Sequence, residues 1–216
     1  MEKIAALYLA HLNPVTKAHE TIISTLAKQY KVYVYPVIFR KAGNEVNTRT
    51  FPFPYDVRRE MLKSLFGQAE NVEIRPDYFF ESPFIKYVPP FLSPYSWILR
   101  KQILRNIKEK KFISYTGDTA ERIALTVYNL HPIQSNRLKI SASKVKELIY
   151  EAVIKDNTGE SQKRNDGDPV WEDLVPNPVS EIIKRHWDIV EKYARMPDKT
   201  VKILGMKFPA EGIFHF

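Results

Sequence analysis

Two short stretches carry most of the groups able to do chemistry in this chain, and both put cations where a helix begins. The first, "LNPVTKAHE" (12–20), follows an apolar run and brings Pro14, Thr16, Lys17 and His19 together as a helix pattern opens. The second, "ISASKVKELI" (140–149), places Ser141, Ser143, Lys144 and Lys146 at the start of another helix pattern. The free N–H groups of a helix N-terminus carry partial positive charge, so a cation there is disfavoured by roughly 0.3 kcal/mol or more. A negative partner from outside the chain removes the conflict. Hydroxyls, backbone N–H groups and ammonium groups gathered at one point are what holds phosphates. Two such helix starts in one domain imply a shared polyanion. Read without a ligand, the same residues are a turn with a surface histidine, and a Ser N-cap followed by a solvated Lys face.

The totals set the frame around these groups. The chain has 216 residues, enough for one domain with an appendage. It has no Cys, which excludes disulfides, thiolate metal sites and a Cys nucleophile. Net charge is +8, from 33 Lys+Arg against 25 Asp+Glu, which favours anionic partners, nucleotide or nucleic acid. No apolar stretch approaches the roughly 18 residues a membrane span needs. The opening "MEKIAALYLAHLNP" lacks the layout of a signal peptide. We therefore expect a cytoplasmic protein without a membrane partner.

Stepping along the chain, apolar runs alternate with helical patterns. Strands are expected at 3–9, 31–39, 71–76 and 111–117, with a short fifth at "HPIQ". Pro36 belongs at an edge or an end of the second. Helices are expected at 17–30, 54–67, 93–110, 118–130 and 141–153. This alternation predicts an α/β fold, a doubly wound Rossmann-like parallel sheet with helices on both faces. A C-terminal helical segment and tail follow. In such sheets ligands bind beyond the carboxyl ends of the strands. Residues 1–154 are expected to form the nucleotide-binding domain, 155–169 a flexible polar loop, and 170–216 a helix and tail packed on the same domain. "FPFPYD" and "SPFIKYVPPFLSPYSW" are dense in Pro and aromatics and read as ordered coverings. The tail is apolar enough to add a strand or pack onto the body.

"ALYLAHLNPVTKAHETII" resembles the opening of the nucleotidylyltransferase superfamily, in which a strand leads through Pro into a His/Thr-x-Gly-His signature. Pro14, Thr16, Ala18 and His19 match it in order, with Ala18 in place of the family's Gly. "ISASKVK" is similar to the second signature, Ile-Ser-x-Ser/Thr-x-x-Arg, with Ser141, Ser143 and Lys144 in place and Lys146 for the Arg. Lys is a point charge and lacks the bidentate fork of Arg. "ISYTGDTAER" (113–122) resembles the turn where Gly117 and Asp118 would meet the nucleotide; Asp118 can equally cap the next helix. His11 falls where archaeal-type nicotinamide mononucleotide adenylyltransferases carry a phosphate-binding Arg. Trp97 falls near the place where those enzymes stack the nicotinamide ring, though an apolar helix around it also suits a core anchor. "WEDLVPNPVSEII" (171–183) is similar to their closing segment, and the resemblance runs over roughly residues 1–190.

The resemblance implies transfer of a nucleotidyl group from a nucleoside triphosphate, ATP first, to a phosphate-bearing acceptor, nicotinamide mononucleotide first. Pyrophosphate leaves, and Mg²⁺ enters with the triphosphate. Thr16, His19 and Lys146 would be catalytic. His11, Ala18, Gly117, Asp118, Ser141, Ser143 and Lys144 would hold the nucleotide, and Trp97 the acceptor. No protein side chain is expected as a metal ligand. Within the same superfamily CTP or another acceptor is the alternative. A rival of another class is a non-catalytic binder, for which Ala18 and Lys146 would be marks of a degraded site. Its nucleic-acid version lacks any RNA-binding signature or zinc pattern. A homo-oligomer is compatible with the sequence and not required by it.

Overall fold

The sequence of the first strand leaves it no solvent-facing side. In β1 (Ile4–Ala10) every residue from Ala5 to Leu9 is buried. Successive side chains of a strand point to opposite faces, so both faces must be covered. Ala6 and Tyr8 pack into one hydrophobic cluster, and Ala5, Leu7 and Leu9 into another. β2 (Lys31–Pro36) divides the same way, Val32 and Val34 against Tyr33 and Tyr35. The computed structural model describes residues 4–90, 92–116, 119–134, 140–158 and 170–214.

The main sheet is parallel and five-stranded. β5 (Val72–Ile74), β2, β1, β7 (Lys111–Thr116) and β8 (Pro132–Gln134) stand side by side in that order. The chain moves outward from β1, then crosses back to the other side, so the order reverses between β1 and β7. The carboxyl end of β1 therefore opens at the switch point, where open α/β sheets receive ligands.

Helices cover both faces, as expected. The first cluster takes Ile23 of α1 (Lys17–Ala27), Met61 of α2 (Tyr55–Phe66), Ile149 of α5 (Ala142–Thr158), Ile182 of α7 (Asn177–Arg185) and Val190 of α8 (Trp187–Ala194). The second takes Leu99 and Ile103 of α3 (Pro94–Leu104) and Leu125 of α4 (Thr119–Val127). The short α6 (Trp171–Leu174) buries Trp171 under the first cluster.

Several elements depart from the sequence reading. The expected strand at 31–39 is two strands. Pro36 ends β2, and Val37 donates its N–H to Ala10 O at 3.0 Å. The chain then enters a second sheet of β4 (Asn44–Glu45), β3 (Ile38–Lys41) and β6 (Phe79–Glu81). α3 stops at Leu104, because the polar "RNIKEK" that follows has no apolar stripe to bury. α5 runs on to Thr158, past the expected boundary at 154, and 159–169 lie outside the described residues. The segment from 170 holds three helices instead of one. The tail folds into an antiparallel hairpin, β9 (Thr200–Ile203) and β10 (Met206–Pro209).

Candidate active site

The loop from β1 to α1 is held from beneath by partners outside the first stretch, Phe53 and Arg58. Asn13 bonds Phe53 at both ends of its amide: its Nδ2 donates to Phe53 O at 2.8 Å, and its Oδ1 accepts from Phe53 N–H at 3.1 Å. Arg58 of α2 is 2% exposed. It donates to His11 O at 2.8 Å and Val37 O at 2.7 Å, and pairs with Glu45 at 2.9 Å. A buried cation that ties three segments together in this way fixes where His11 sits. The His11 ring stacks on Phe51, with centroids 4.4 Å apart.

The start of α1 sets the chemistry of His19. Thr16 is the N-cap, and its N–H donates to His19 Nδ1 at 3.0 Å. Thr16 Oγ1 lies 3.2 Å from the same nitrogen. A ring nitrogen that accepts a backbone N–H carries no proton, so a neutral His19 bears its proton on Nε2. Burial, then the nearby Lys146, pushes the His19 pKa down to about 4. Burial, then Lys146, Arg58 and Lys207, pushes His11 down to about 3. Both rings are neutral at pH 7, and His19 Nε2 is a hydrogen-bond donor. Ala18 is buried in the same turn.

α5 delivers one residue of its signature into this space. Lys146 is 9% exposed and donates its ammonium to the Thr50 carbonyl. Burial and the like charge of Lys207 bring its pKa down to about 7, against the opposing pull of Asp198 and Glu147. Lys146 thus sits within electrostatic reach of both His11 and His19 although 127 residues separate it from His19. The rest of the signature lies differently. Ser141 Oγ accepts from the Lys144 N–H at 3.2 Å and so caps the helix, while Ser143 and Lys144 are exposed. Gly117 and Asp118 lie outside the described residues.

Beside His11 opens a cavity of about 280 Å³. Phe39, Tyr78, Phe80, Tyr87, Tyr128 and Phe208 give it an aromatic wall, and Arg100, Lys202 and Lys207 supply cations. Trp97 does not line it. The residue is 41% exposed and its ring meets Tyr128 edge-on at 5.6 Å, whereas its helical neighbours Ser96, Leu99 and Arg100 border the cavity. The core-anchor alternative for Trp97 is not what the fold uses; Leu99 and Ile103 take that place.

Arg58, Phe51, Lys202 and Lys207 belong to neither signature. Arg58 left a signal: it falls on the stripe of Val57, Met61 and Leu62, and a charge on an apolar stripe needs buried partners. The hairpin lysines left none, since a Lys in an alternating strand is ordinarily solvent-facing. Among the described residues no group of three or more His, Asp or Glu side chains is placed to hold a metal ion.

No family profile and no curated protein matches the sequence. Solved structures do match in fold. A bifunctional NMN adenylyltransferase/ADP ribose pyrophosphatase from Francisella tularensis is similar over 92% of this chain and 58% of its own, with TM-score 0.51 and 15% identity. The chain thus spans a little over half of that protein. Plasmodium falciparum nicotinic acid mononucleotide adenylyltransferase, complexed with NaAD, is similar over 85% of this chain and 96% of its own, at TM-score 0.47 and 10% identity. A NadR protein in complex with NAD and AMP-PNP covers 69% of this chain and 43% of its own, at TM-score 0.49 and 17% identity. The likeness is one of fold alone, a Rossmann-like α/β sheet.

Proposed function

We propose that this chain is a nucleotidylyltransferase that moves the adenylyl group of ATP onto the phosphate of nicotinamide mononucleotide. An acceptor phosphate oxygen attacks the α-phosphorus, the bond from that phosphorus to the bridging oxygen breaks, and pyrophosphate leaves. No protein nucleophile is needed, so the chain's task is positioning and charge neutralisation. Magnesium enters with the triphosphate as part of the substrate.

The observation that carries this reading is the convergence of two distant signatures on one point. The fixed tautomer of His19 and the buried ammonium of Lys146 stand together at the carboxyl end of β1. His19 Nε2–H, Thr16 and the first N–H groups of α1 around Ala18 are donors for the α- and β-phosphates. Lys146 neutralises the β/γ-phosphates, with Ser141, Ser143 and Lys144 flanking it. The aromatic cavity beside His11 takes the ring of the acceptor, and Gly117 and Asp118 serve the nucleoside. Trp97 would reach an acceptor only at the outer edge of this wall. The fold shared with an NMN adenylyltransferase agrees with the assignment.

The test is pyrophosphate release by the full chain with ATP, magnesium and nicotinamide mononucleotide, beside parallel reactions with CTP. Release that requires both ATP and the mononucleotide is expected. Release with CTP alone among the triphosphates would reassign the donor. No release with any pairing, in a protein that still binds ATP, would make it a non-catalytic nucleotide binder.

A further inference from the structure

The two faces of the C-terminal hairpin look at different neighbours. Val201, Ile203, Met206 and Phe208 share one face and pack with the aromatic cluster around Phe39 and Phe80. Lys202 and Lys207 share the other and stand directly opposite each other across the ribbon. Like charges paired in this way destabilise a two-stranded sheet. Among the described residues neither ammonium has an acid or a hydrogen-bond acceptor against it.

The ribbon is not free to relieve the repulsion. Leu204 and Gly205 have φ of 49° and 85°, the two positive values that a two-residue hairpin turn of this hand requires, and so they fix the register. Phe208 is 2% exposed. Thr200 Oγ1 lies 2.9 Å from Thr48 Oγ1, Thr50 donates to Asp198 at 2.8 Å, and Phe84 N–H donates to Gly212 O at 2.7 Å. A Cβ at Gly212, where φ is 98°, would come within 2.9 Å of the Phe84 ring, so the chain beyond the hairpin is seated closely too. The lysine pair is thus held at the border of the cavity. Lys207 and His11 line the same cavity, and the Lys207 charge lowers the pKa of both His11 and Lys146, so it lies within electrostatic reach of the phosphate-binding point.

We propose that this hairpin is part of the active site and that its Lys207–Lys202 pair holds the phosphate of the acceptor at the mouth of the aromatic cavity. The inference rests on the transferase reading above and adds a residue set that neither signature contains. An acceptor whose ring lies in the cavity must turn its phosphate out toward His11 and His19, where the α-phosphorus is attacked. Two anions must meet there. Lys146 neutralises the triphosphate; Lys207 neutralises the attacking phosphate, and Lys202 supports it from across the ribbon. An external phosphate also resolves the unopposed cation pair.

The experiment uses the full chain and the variants Lys207→Ala, Lys202→Ala, the double variant and Lys207→Arg. Both lysines are exposed, so the fold does not depend on them. Loss of the charged contact at Lys207 is expected to raise the acceptor KM about tenfold, and the double change further, with the ATP KM within about twofold. Lys207→Arg should restore most of the acceptor affinity. In a second arm without ATP, calorimetry compares nicotinamide mononucleotide with nicotinamide riboside, which lacks the phosphate. The wild type should prefer the mononucleotide, and the double variant should bind the two about equally. A preference that survives in the double variant, or an ATP KM that rises in place of the acceptor's, overturns the proposal. If the wild type releases no pyrophosphate yet prefers the mononucleotide through these lysines, the transferase reading falls and the hairpin site stands.

Discussion

α1 and α5 both open with cations, yet they hold them in opposite ways. At α1 the cap is closed: Thr16 and His19 bond each other, Ala18 is buried, and the preceding loop is tied down by Asn13 and Arg58. At α5, among the described residues, the side-chain cap is a contact from Ser141, and Ser143 and Lys144 stand in solvent while the cation drawn inward is Lys146. The first start is built before any ligand arrives. The second has one fixed cation and an open rim. Preorganised donors act on the transition state without reorganising, so the chemistry should depend on α1 and on Lys146 more than on the rest of α5.

The largest break should come from His19→Ala. Loss of one preorganised donor is expected to lower kcat/KM by about 10²–10³-fold, roughly 2.7–4 kcal/mol. Steady-state pyrophosphate release measures it, with far-ultraviolet circular dichroism to show a kept fold. Near-normal turnover in that folded variant would reduce His19 to a capping residue.

Acid should attack the same end of the molecule. The folded pKa values of His11 and His19, about 3 and about 4, lie below the ordinary 6.5. As pH falls from 6.5 the unfolded chain takes up protons that the folded one refuses, so stability is full above 6.5 and declines toward pH 4. Each ring is worth on the order of 3 kcal/mol by pH 4, so the two together cost roughly 6 kcal/mol. Urea midpoints from pH 7 to 4 follow it, and the decline should be shallower in His11→Asn.

Lys146 should behave in the reverse sense. Its folded pKa of about 7 lies below the ordinary 10.5, so its burial costs stability at and below pH 7, and that cost fades as pH rises toward 10.5. Lys146→Met is therefore expected to raise the Tm at pH 7 by several degrees, on the order of 1–2 kcal/mol after the lost bond to Thr50 is counted. The gain should shrink by pH 10. The same variant should weaken ATP about tenfold. An equal Tm difference at both pH values would show that the ammonium carries no burial cost.

The smallest effects should come from the rim of α5. Ser143→Ala and Lys144→Ala are each expected to change kcat/KM by about threefold or less, since exposed charges and hydroxyls contribute under about 1 kcal/mol. A hundredfold loss in either would mean that α5 closes over the ligand and would erase the contrast with α1.

Much of this contrast can be read from residue types. The unbroken apolar run of β1 demands two covered faces, and with the strand–helix alternation it predicts the parallel sheet. Thr16 and His19 stand out by their place between an apolar run and a helix pattern, although the bonds between them belong to the fold. Other features depend on contacts no local pattern encodes. The break at Pro36 follows from a second sheet whose strands lie about 40 residues apart in the chain. Arg58 has meaning only once His11, Val37 and Glu45 surround it. Lys202 and Lys207 become a pair only when the turn at Leu204 sets their register. The core-anchor alternative for Trp97 fails for the same reason: the apolar residues beside it promise a buried helix, and the fold turns a different side of α3 inward.

The seating of Phe208 has a consequence for biosynthesis. Phe39, Phe80 and Phe84 share the cluster that Phe208 closes, and Phe208 follows Phe39 by 169 residues. At about 5–20 residues per second, the ribosome takes on the order of ten to thirty seconds to cover that stretch. During that time the nascent chain carries an uncovered aromatic surface beside an already synthesised His11–His19 loop. Such surface is what chaperones bind, so this protein should need their protection late in its own translation. A transcript cut before codon 208 would release a chain whose sticky side stays open.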